Sequence, residues 1–516
     1  MTIKQLTRQF FFLCIVLLTT ALTACNDSND DNDKPEQLNT DTYSVDLSAT
    51  NNVPSNNSTA TAQANFTLNK ESGALSGSVT VSNLNDATMS HIHAGFAGSN
   101  GSAVVTLEAN DDNTVFSVPD NTVLDSNQME ALLKGMYYVN VHSPTYPAGE
   151  IRGQILHSTI KTYSLNLDGS QEVPAVTTTA SATAALTLNS ISGALNGTVT
   201  VSDLSDTTAA HIHTGFAGSN GSALVPLEAN DDNTVFSVPD NTTLDSSQMD
   251  ALMKGMYYIN VHSTSNPGGE IRGQILPSTI KTYWTTLDGD QEVPAVTTTA
   301  SATAALTLDS TTGALYGTVS VNDLSDTTAA HIHTGFAGSN GSALVPFEAN
   351  DDSTVFSVPD NTVLDSNQME ALLKGMYYIN VHSTTNPAGE IRGQIIPNDI
   401  NVYWFNLSGD QEVPAVTTTA TGTGAITINK QTGDLFGSIM TSGVDDATSA
   451  HIHEGDSGVN GGVAITLVQD SSELSLWNVP AGANISTTLS NFLNGGHYVN
   501  LHTPANSTGE IRGQIE

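Results

Sequence analysis

Gly149-Glu150-Ile151-Arg152-Gly153-Gln154-Ile155 is a heptapeptide that recurs unchanged at residues 269–275, 389–395 and 509–515. The copies begin at residues 149, 269, 389 and 509, a constant step of 120 residues. Solenoid repeats are about 20–50 residues long, whereas a segment of this length can bury a core of its own. The repeat therefore predicts four tandem domains, at 41–157, 161–277, 281–397 and 401–516, joined by short junctions.

Within one copy, apolar and polar residues alternate in short runs, as they do in half-buried β-strands. Ala62, Ala64, Phe66 and Leu68 alternate with polar residues, and turn-forming residues separate such runs. The pattern indicates about seven or eight short strands per copy. We therefore expect an all-β fold in which each domain is an antiparallel Greek-key β-sandwich or barrel.

One segment of each copy has helical periodicity instead. Between Asp125 and Gly135, methionine and leucine residues recur at spacings of three and four. Asp125 is a candidate N-cap, Gln128 stands where a capping box requires it, and Gly135 can end the helix. The sequence therefore predicts one short helix per domain.

The chain is strongly acidic, with 52 Asp and Glu against 14 Lys and Arg and a formal net charge of −38. Nucleic acids are polyanions, and proteins bind them through basic residues that release counterions. The composition therefore argues against nucleic-acid binding and predicts well-solvated domain surfaces.

The N-terminus resembles a bacterial lipoprotein signal. Lys4 and Arg8 precede an apolar run at 10–18 that is too short to span a membrane, and Leu22-Thr23-Ala24-Cys25 resembles the lipobox. The resemblance implies removal of residues 1–24, lipidation of Cys25 and anchoring in the bacterial outer membrane, facing the periplasm or the cell surface. An ordinary secretory signal is the alternative. Residues 25–40 are polar and acidic, so we expect a disordered tether.

Histidine is concentrated in a trio that recurs in every copy. His91 and His93 form a His-x-His pair, and His142 follows on a later predicted strand. The equivalent residues are His211, His213, His262, His331, His333, His382, His451, His453 and His502, so the trios hold twelve of the fourteen histidines.

Alternate residues of a strand share a face with Cα atoms about 6.8 Å apart, so the imidazoles of His-x-His can converge on one metal ion. A third histidine from a neighbouring strand would complete three nitrogen ligands with an open position, as in reactive zinc or copper sites. Copper is the expected metal and zinc the second choice. The alternative is a set of buried histidines that hydrogen-bond to backbone carbonyl groups.

Arginine is even more restricted than histidine. Apart from Arg8, every arginine stands in the heptapeptide, at Arg152, Arg272, Arg392 and Arg512. One interpretation is a structural ion pair or a hydrogen-bond network at the end of a strand. The other is an arginine at the mouth of a site, where it attracts a small anion that the overall charge would repel.

Four motifs in a fixed order resemble the CHRD domain, named for the animal protein chordin and also found in bacterial secreted proteins. They are Gly73-Ala74-Leu75-x-Gly77, Ser90-His91-Ile92-His93-x-Gly95, Tyr138-Val139-Asn140-Val141-His142-Ser143 and the heptapeptide. The resemblance covers all four copies and implies a secreted, β-rich module without an established general activity. In chordin such modules belong to a protein that binds growth factors.

A weaker resemblance is to copper/zinc superoxide dismutase. It would make His91, His93 and His142 copper ligands and Arg152 an anion-guiding residue, and residues 451–456 are the closest local match. The sequence departs from that family, because it has no bridging histidine after the pair, no visible zinc cluster and no cysteine beyond residue 25 for the structural disulfide. A copper-only site is compatible with these departures, whereas a two-metal enzyme is not.

Two functions from different classes follow from these patterns. The first is a non-enzymatic, lipid-anchored cell-envelope protein whose four modules bind an unknown protein or polysaccharide multivalently. The second is a periplasmic or surface copper-binding protein with one three-histidine site per domain, which could extend to superoxide dismutase-like chemistry. The sequence assigns no catalytic residue; it favours the non-enzymatic function and leaves the enzymatic one open.

Overall fold

The computed structural model describes residues 39–444 and 446–516. The predicted signal peptide at 1–24, the predicted lipidation site Cys25 and the predicted tether up to residue 38 lie outside the described residues. Within the described ranges, no helix is long and apolar enough to cross a membrane.

The first domain consists of short strands and one helix. Its strands are β1 (Thr40–Ser48), β2 (Thr61–Asn69), β3 (Leu75–Ser82), β4 (Met89–Ala94), β5 (Ala103–Thr106), β6 (Glu108–Ala109), β7 (Val115–Ser117), β8 (Tyr137–His142) and β9 (Ile151–Ile155). The helix α1 spans Ser126–Leu133, and a 3-10 turn at Ala49–Asn51 follows β1.

The other domains repeat this order of elements. The second contains β10 (Ile160–Asp168), a 3-10 turn (Gly169–Gln171), β11 (Ser181–Asn189), β12 (Leu195–Ser202), β13 (Thr207–Thr214), β14 (Ala223–Pro226), β15 (Glu228–Ala229), β16 (Val235–Ser237), α2 (Ser246–Met253), β17 (Tyr257–Ser263) and β18 (Ile271–Ile275). The third contains β19 (Ile280–Leu287), β20 (Ser301–Asp309), β21 (Leu315–Asn322), β22 (Thr327–Thr334), β23 (Ala343–Pro346), β24 (Glu348–Ala349), β25 (Val355–Ser357), α3 (Ser366–Leu373), β26 (Tyr377–Ser383) and β27 (Ile391–Ile395). The fourth contains β28 (Ile400–Ser408), a 3-10 turn (Gly409–Gln411), β29 (Thr421–Asn429), β30 (Leu435–Ser442), β31 (Ser449–Glu454), β32 (Gly462–Thr466), β33 (Val468–Gln469), β34 (Leu476–Asn478), α4 (Leu489–Leu493), β35 (His497–His502) and β36 (Ile511–Gln514).

Each domain is built on one antiparallel strand order, which in the first domain runs β5-β4-β8-β9-β1-β2-β3-β7-β6. β5 pairs with β4 at one edge, and β6 pairs with β7 at the other. Leu107 alone separates β5 from β6, and its N–H donates to the carbonyl oxygen of Ser90, 2.9 Å away. One segment of chain therefore joins both edges of the sheet and makes the domain barrel-like. This confirms the predicted all-β fold of antiparallel domains.

The strand count per domain is nine rather than the predicted seven or eight. One of the nine, β6, consists of Glu108 and Ala109 alone, which is too short to show an alternating pattern in the sequence. In the third domain the strands form two sheets, since β19 and β27 meet only through the bridge between Asp288 and Arg392.

Burial follows the predicted alternation along the strands. In β2 every second residue, from Ala62 to Leu68, is buried, and these side chains join one core cluster with Val139 and Val141 of β8. The predicted helix is confirmed as well. Asp125 accepts from the backbone N–H of Gln128, and the Gln128 side chain accepts from the N–H of Asp125, which is a capping box.

Neighbouring domains contact each other through the C-terminal end of the helix. The Thr187 hydroxyl of the second domain donates to the Lys134 carbonyl oxygen of the first (2.7 Å), and Lys134 Nζ lies 3.0 Å from Asp240. The Thr307 hydroxyl donates to the Lys254 carbonyl oxygen (2.8 Å) in the same way at the next junction. These hydrogen bonds hold the first domain against the second and the second against the third.

Candidate metal centre

The histidine trio lies on two neighbouring strands of each domain, which in the first domain are β4 and β8, between β5 and β9. In the first domain, β4 carries His91 and His93, and β8 ends at His142. His91 stands opposite Asn140 across the strand pair, so His142 is its diagonal neighbour on the same face. Ile92 of β4 points the other way into the core. The structure therefore places the His-x-His pair on one strand and the third histidine on the neighbouring strand, as predicted.

The three imidazoles converge in every domain. In each trio, one nitrogen from each histidine lies within 4.8 Å of the other two. In the first domain the His91 Nδ1 to His142 Nε2 distance is 3.1 Å. Two nitrogens that bind one tetrahedral ion at about 2.0–2.1 Å are about 3.3 Å apart, which is close to the separation of this hydrogen-bonded pair.

Backbone carbonyl groups fix which nitrogen faces the centre. His93 Nδ1 lies 3.0 Å from the Gly101 oxygen, and His142 Nδ1 lies 3.1 Å from the Pro147 oxygen. A carbonyl oxygen only accepts, so both Nδ1 atoms carry the proton and both Nε2 atoms present a lone pair. The same pair of contacts recurs in the other domains, at 3.0–3.2 Å. Metal-binding histidines are commonly oriented by this kind of hydrogen bond.

The nitrogens that face the centre have no hydrogen-bond partner among the described residues in three of the domains. In the second domain they are His211 Nδ1, His213 Nε2 and His262 Nε2, all buried. The third and fourth domains repeat the set at His331 Nδ1, His333 Nε2, His382 Nε2, His451 Nδ1, His453 Nε2 and His502 Nε2. Leaving a buried polar atom unpaired costs about 1–3 kcal/mol, so three converging ring nitrogens form a set whose shape could accept a cation.

The electrostatics of the centre keep the imidazoles neutral. Burial lowers the pKa of His91, and His93 beside it lowers that pKa further. Burial also lowers the pKa of His142; the hydrogen bond to Pro147 partly offsets this, and repulsion from the two other histidines adds to it. Neutral imidazole is the form that binds metal ions.

Tyr138 separates the histidines from the arginine. The Tyr138 ring is parallel to that of His93, with ring centres 5.0 Å apart, and the Arg152 guanidinium carbon lies 3.4 Å from the Tyr138 ring centre. β8 lies between β4 and β9, so the tyrosine stands between the other two side chains. This cation–π contact recurs at Arg272, Arg392 and Arg512.

Arg152 is 2% exposed and holds a loop rather than facing solvent. Its guanidinium donates to the Phe96 carbonyl oxygen (3.0 Å) and the Asn100 side-chain oxygen (3.3 Å). That loop leads directly to Gly101, whose oxygen orients His93. These contacts favour the structural interpretation of the arginine over the anion-binding one.

The same architecture recurs in known sequences. A family model described as "CHRD domain" matches residues 43–155, 163–275, 283–395 and 403–515. The chain belongs to the CHRD family. Among solved structures, one described as "Crystal structure of tetra-tandem repeat in extending region of large adhesion protein" is 14% identical, covers 86% of this chain and 96% of its own, and has a TM-score of 0.13. No curated protein matches the chain.

Three of the CHRD domains contain a buried glutamate that was not predicted from the sequence. Glu172 is 7% exposed, and one of its oxygens has no hydrogen-bond partner among the described residues. Burial raises its pKa to about 7, although the nearby Arg272 acts in the opposite direction. The first CHRD domain has Asn52 at this position, whose amide donates to the Glu150 carbonyl oxygen. Only the fold reveals this burial.

Proposed function

We propose that the protein is a non-enzymatic metal-binding protein of the bacterial cell envelope, in which each CHRD domain holds one copper ion on its histidine trio. The observation that carries the proposal is the repeated set of buried, unpartnered ring nitrogens in the second, third and fourth domains. In the first domain the two ring nitrogens of His91 and His142 converge to 3.1 Å in a hydrogen bond, whose proton a bound metal ion would replace.

The donor set favours copper over other divalent ions. All three donors are imidazole nitrogens, which suit copper, zinc, nickel and iron, and copper(II) binds most tightly in the usual affinity order. Copper bound there would supply redox or Lewis-acid chemistry. The chain's own residues bind it and, through the Gly101 and Pro147 oxygens, hold two rings in the ligating tautomer.

A binding role is favoured over catalysis by the position of the arginine. Arg152 lies behind Tyr138 and is satisfied by loop carbonyl groups, so it is not poised to guide an anion to the trio. Within residues 39–444 and 446–516, four groups of three or more His, Cys, Asp or Glu residues have ligand atoms that converge, and these groups are the four trios. No second metal-ligand cluster lies beside a trio in those residues. Lipidation of Cys25 would place four such sites at a membrane surface.

Metal analysis of the whole chain tests the proposal. After copper loading and dialysis, we expect four equivalents per chain, and each of the variants H91A, H211A, H331A and H451A should remove one equivalent. The matched control is H157A, because His157 lies outside the trios and contacts Thr159. Fewer than one equivalent in the wild-type chain, or four in the quadruple variant, would contradict the proposal.

A further inference from the structure

The junction between the second and third domains forms a cleft of about 980 Å³. Trp284, on the first strand of the third domain, contributes one wall and is 51% exposed. Its indole packs directly on Gly218 of the second domain, where an added Cβ would lie 1.9 Å from Trp284 Cδ1. The neighbouring domain therefore holds the ring in place while half of its surface remains accessible.

Polar side chains line part of the cleft, beside apolar residues that include Leu165, Val173 and Pro174. The polar side chains include the amide and carboxylate groups of Asn166, Asp168, Gln171 and Glu172. A flat aromatic surface beside a set of amide and carboxylate groups matches a pyranose ring, which has C–H groups on its faces and hydroxyl groups at its edge. Ligand sites typically combine an aromatic wall with a few placed polar groups in this way.

An exposed tryptophan stands at two of the three junctions. Trp404 takes the same position between the third and fourth domains and is 46% exposed; an added Cβ on Gly338 would lie 3.4 Å from its ring. The first junction has Ser164 instead, near Gly98, and a smaller cleft of about 480 Å³. The chain thus contains its own natural comparison for the role of the tryptophan.

We propose that the cleft walled by Trp284, and the junction surface that carries Trp404 at the equivalent position, bind neutral oligosaccharides. Asp168 and the net charge of −38 disfavour acidic sugars. Arg272 also lines the cleft. Its guanidinium donates to the carbonyl oxygens of Phe216 and Ser219, and these internal hydrogen bonds use the groups that an acidic sugar would need. No histidine of the trios lines this cleft, so the proposal does not depend on metal binding.

Tryptophan fluorescence and calorimetry of the whole chain test this proposal. The probes are maltohexaose, cellohexaose and the hexasaccharide of N-acetylglucosamine, with an alginate hexasaccharide as the acidic comparison. We expect at least one neutral probe to bind at two sites per chain and to change the emission of Trp284 and Trp404, while Trp477, which is 4% exposed, provides a constant background. The alginate probe should bind at least ten-fold more weakly.

The variants copy the natural difference between junctions. W284S/W404S, which installs the residue found at position 164, should weaken binding at least ten-fold, and its circular dichroism should match that of the wild type. S164W should raise the stoichiometry from two to three, a gain that misfolding cannot produce. Absence of binding by all three neutral probes, unchanged affinity in W284S/W404S, or tighter binding of alginate would overturn the proposal.

Discussion

His91 Nδ1 and His142 Nε2 lie 3.1 Å apart, although the two residues are separated by 51 positions in the sequence. The pairing of β4 with β8 produces this contact, because it makes the two side chains diagonal neighbours on one face of the sheet. The His142 Nδ1 proton is already directed at the Pro147 oxygen, so Nε2 faces His91 with its lone pair. His91 Nδ1–H therefore donates to His142 Nε2, and a metal ion bound here would displace that shared proton, which the other ring nitrogen of His91 would then carry.

The loop held by Arg152 should open when the guanidinium is removed. R152M leaves the Phe96 carbonyl oxygen and the Asn100 side chain without their donor. Loss of a buried charged donor costs about 3 kcal/mol, so hydrogen exchange at residues 95–101 should become markedly faster. K161M, at an exposed lysine, is the control and should leave exchange unchanged. Unchanged exchange in R152M together with lost binding of phosphate would support the anion-binding interpretation instead.

The buried glutamates should make stability depend on pH. Burial raises the pKa of Glu172, Glu292 and Glu412 to about 7, from an ordinary value of 4.5. The folded chain holds these protons more tightly than the unfolded chain, so their contribution is complete below pH 4.5 and is lost as the pH rises through about 7.

The triple variant E172Q/E292Q/E412Q isolates that contribution, since glutamine has a similar shape and does not ionise. Between pH 5 and pH 8, the thermal midpoint of the wild type should fall by several degrees relative to that of the variant. Differential scanning calorimetry at both pH values measures the difference. Parallel pH profiles for the two chains would show that these carboxyl groups titrate normally.

Two threonines at equivalent junction positions should respond differently to the same substitution. The Thr187 hydroxyl donates to Lys134 at 2.7 Å, whereas the buried hydroxyl of Thr427 has no partner within the described residues. T187V should destabilise its junction by about 1–3 kcal/mol, because it leaves the Lys134 oxygen unpaired. T427V should change stability by less than about 0.5 kcal/mol. Chemical denaturation of both variants compares them, and equal destabilisation would contradict this account of the junctions.

The alternation of Ala62 to Leu68 and the Asp125 capping box predicted their strand and helix correctly, because both are local patterns that the structure retains. The His-x-His spacing likewise placed His91 and His93 on one face. The strand closure at Leu107 was not predictable, since it depends on a contact with Ser90 across the domain.

The groups that orient the histidines could not be predicted from the sequence either. Gly101 and Pro147 orient the histidines through backbone oxygens, which any residue type provides, so no motif marks them. The cover that Tyr138 places over Arg152 depends on three strands lying side by side. Residue type alone therefore left the arginine open to two interpretations, and its burial favours one of them.

Anomalous diffraction from crystals of the copper-loaded chain, recorded at the copper absorption edge, tests the central claim most directly. We predict four peaks, one per CHRD domain, each about 2.0–2.1 Å from three ring nitrogens. In the second domain these are Nδ1 of His211, Nε2 of His213 and Nε2 of His262, the three that are buried and unpartnered. Peaks only at exposed acidic side chains, or no peak at any trio, would contradict the account.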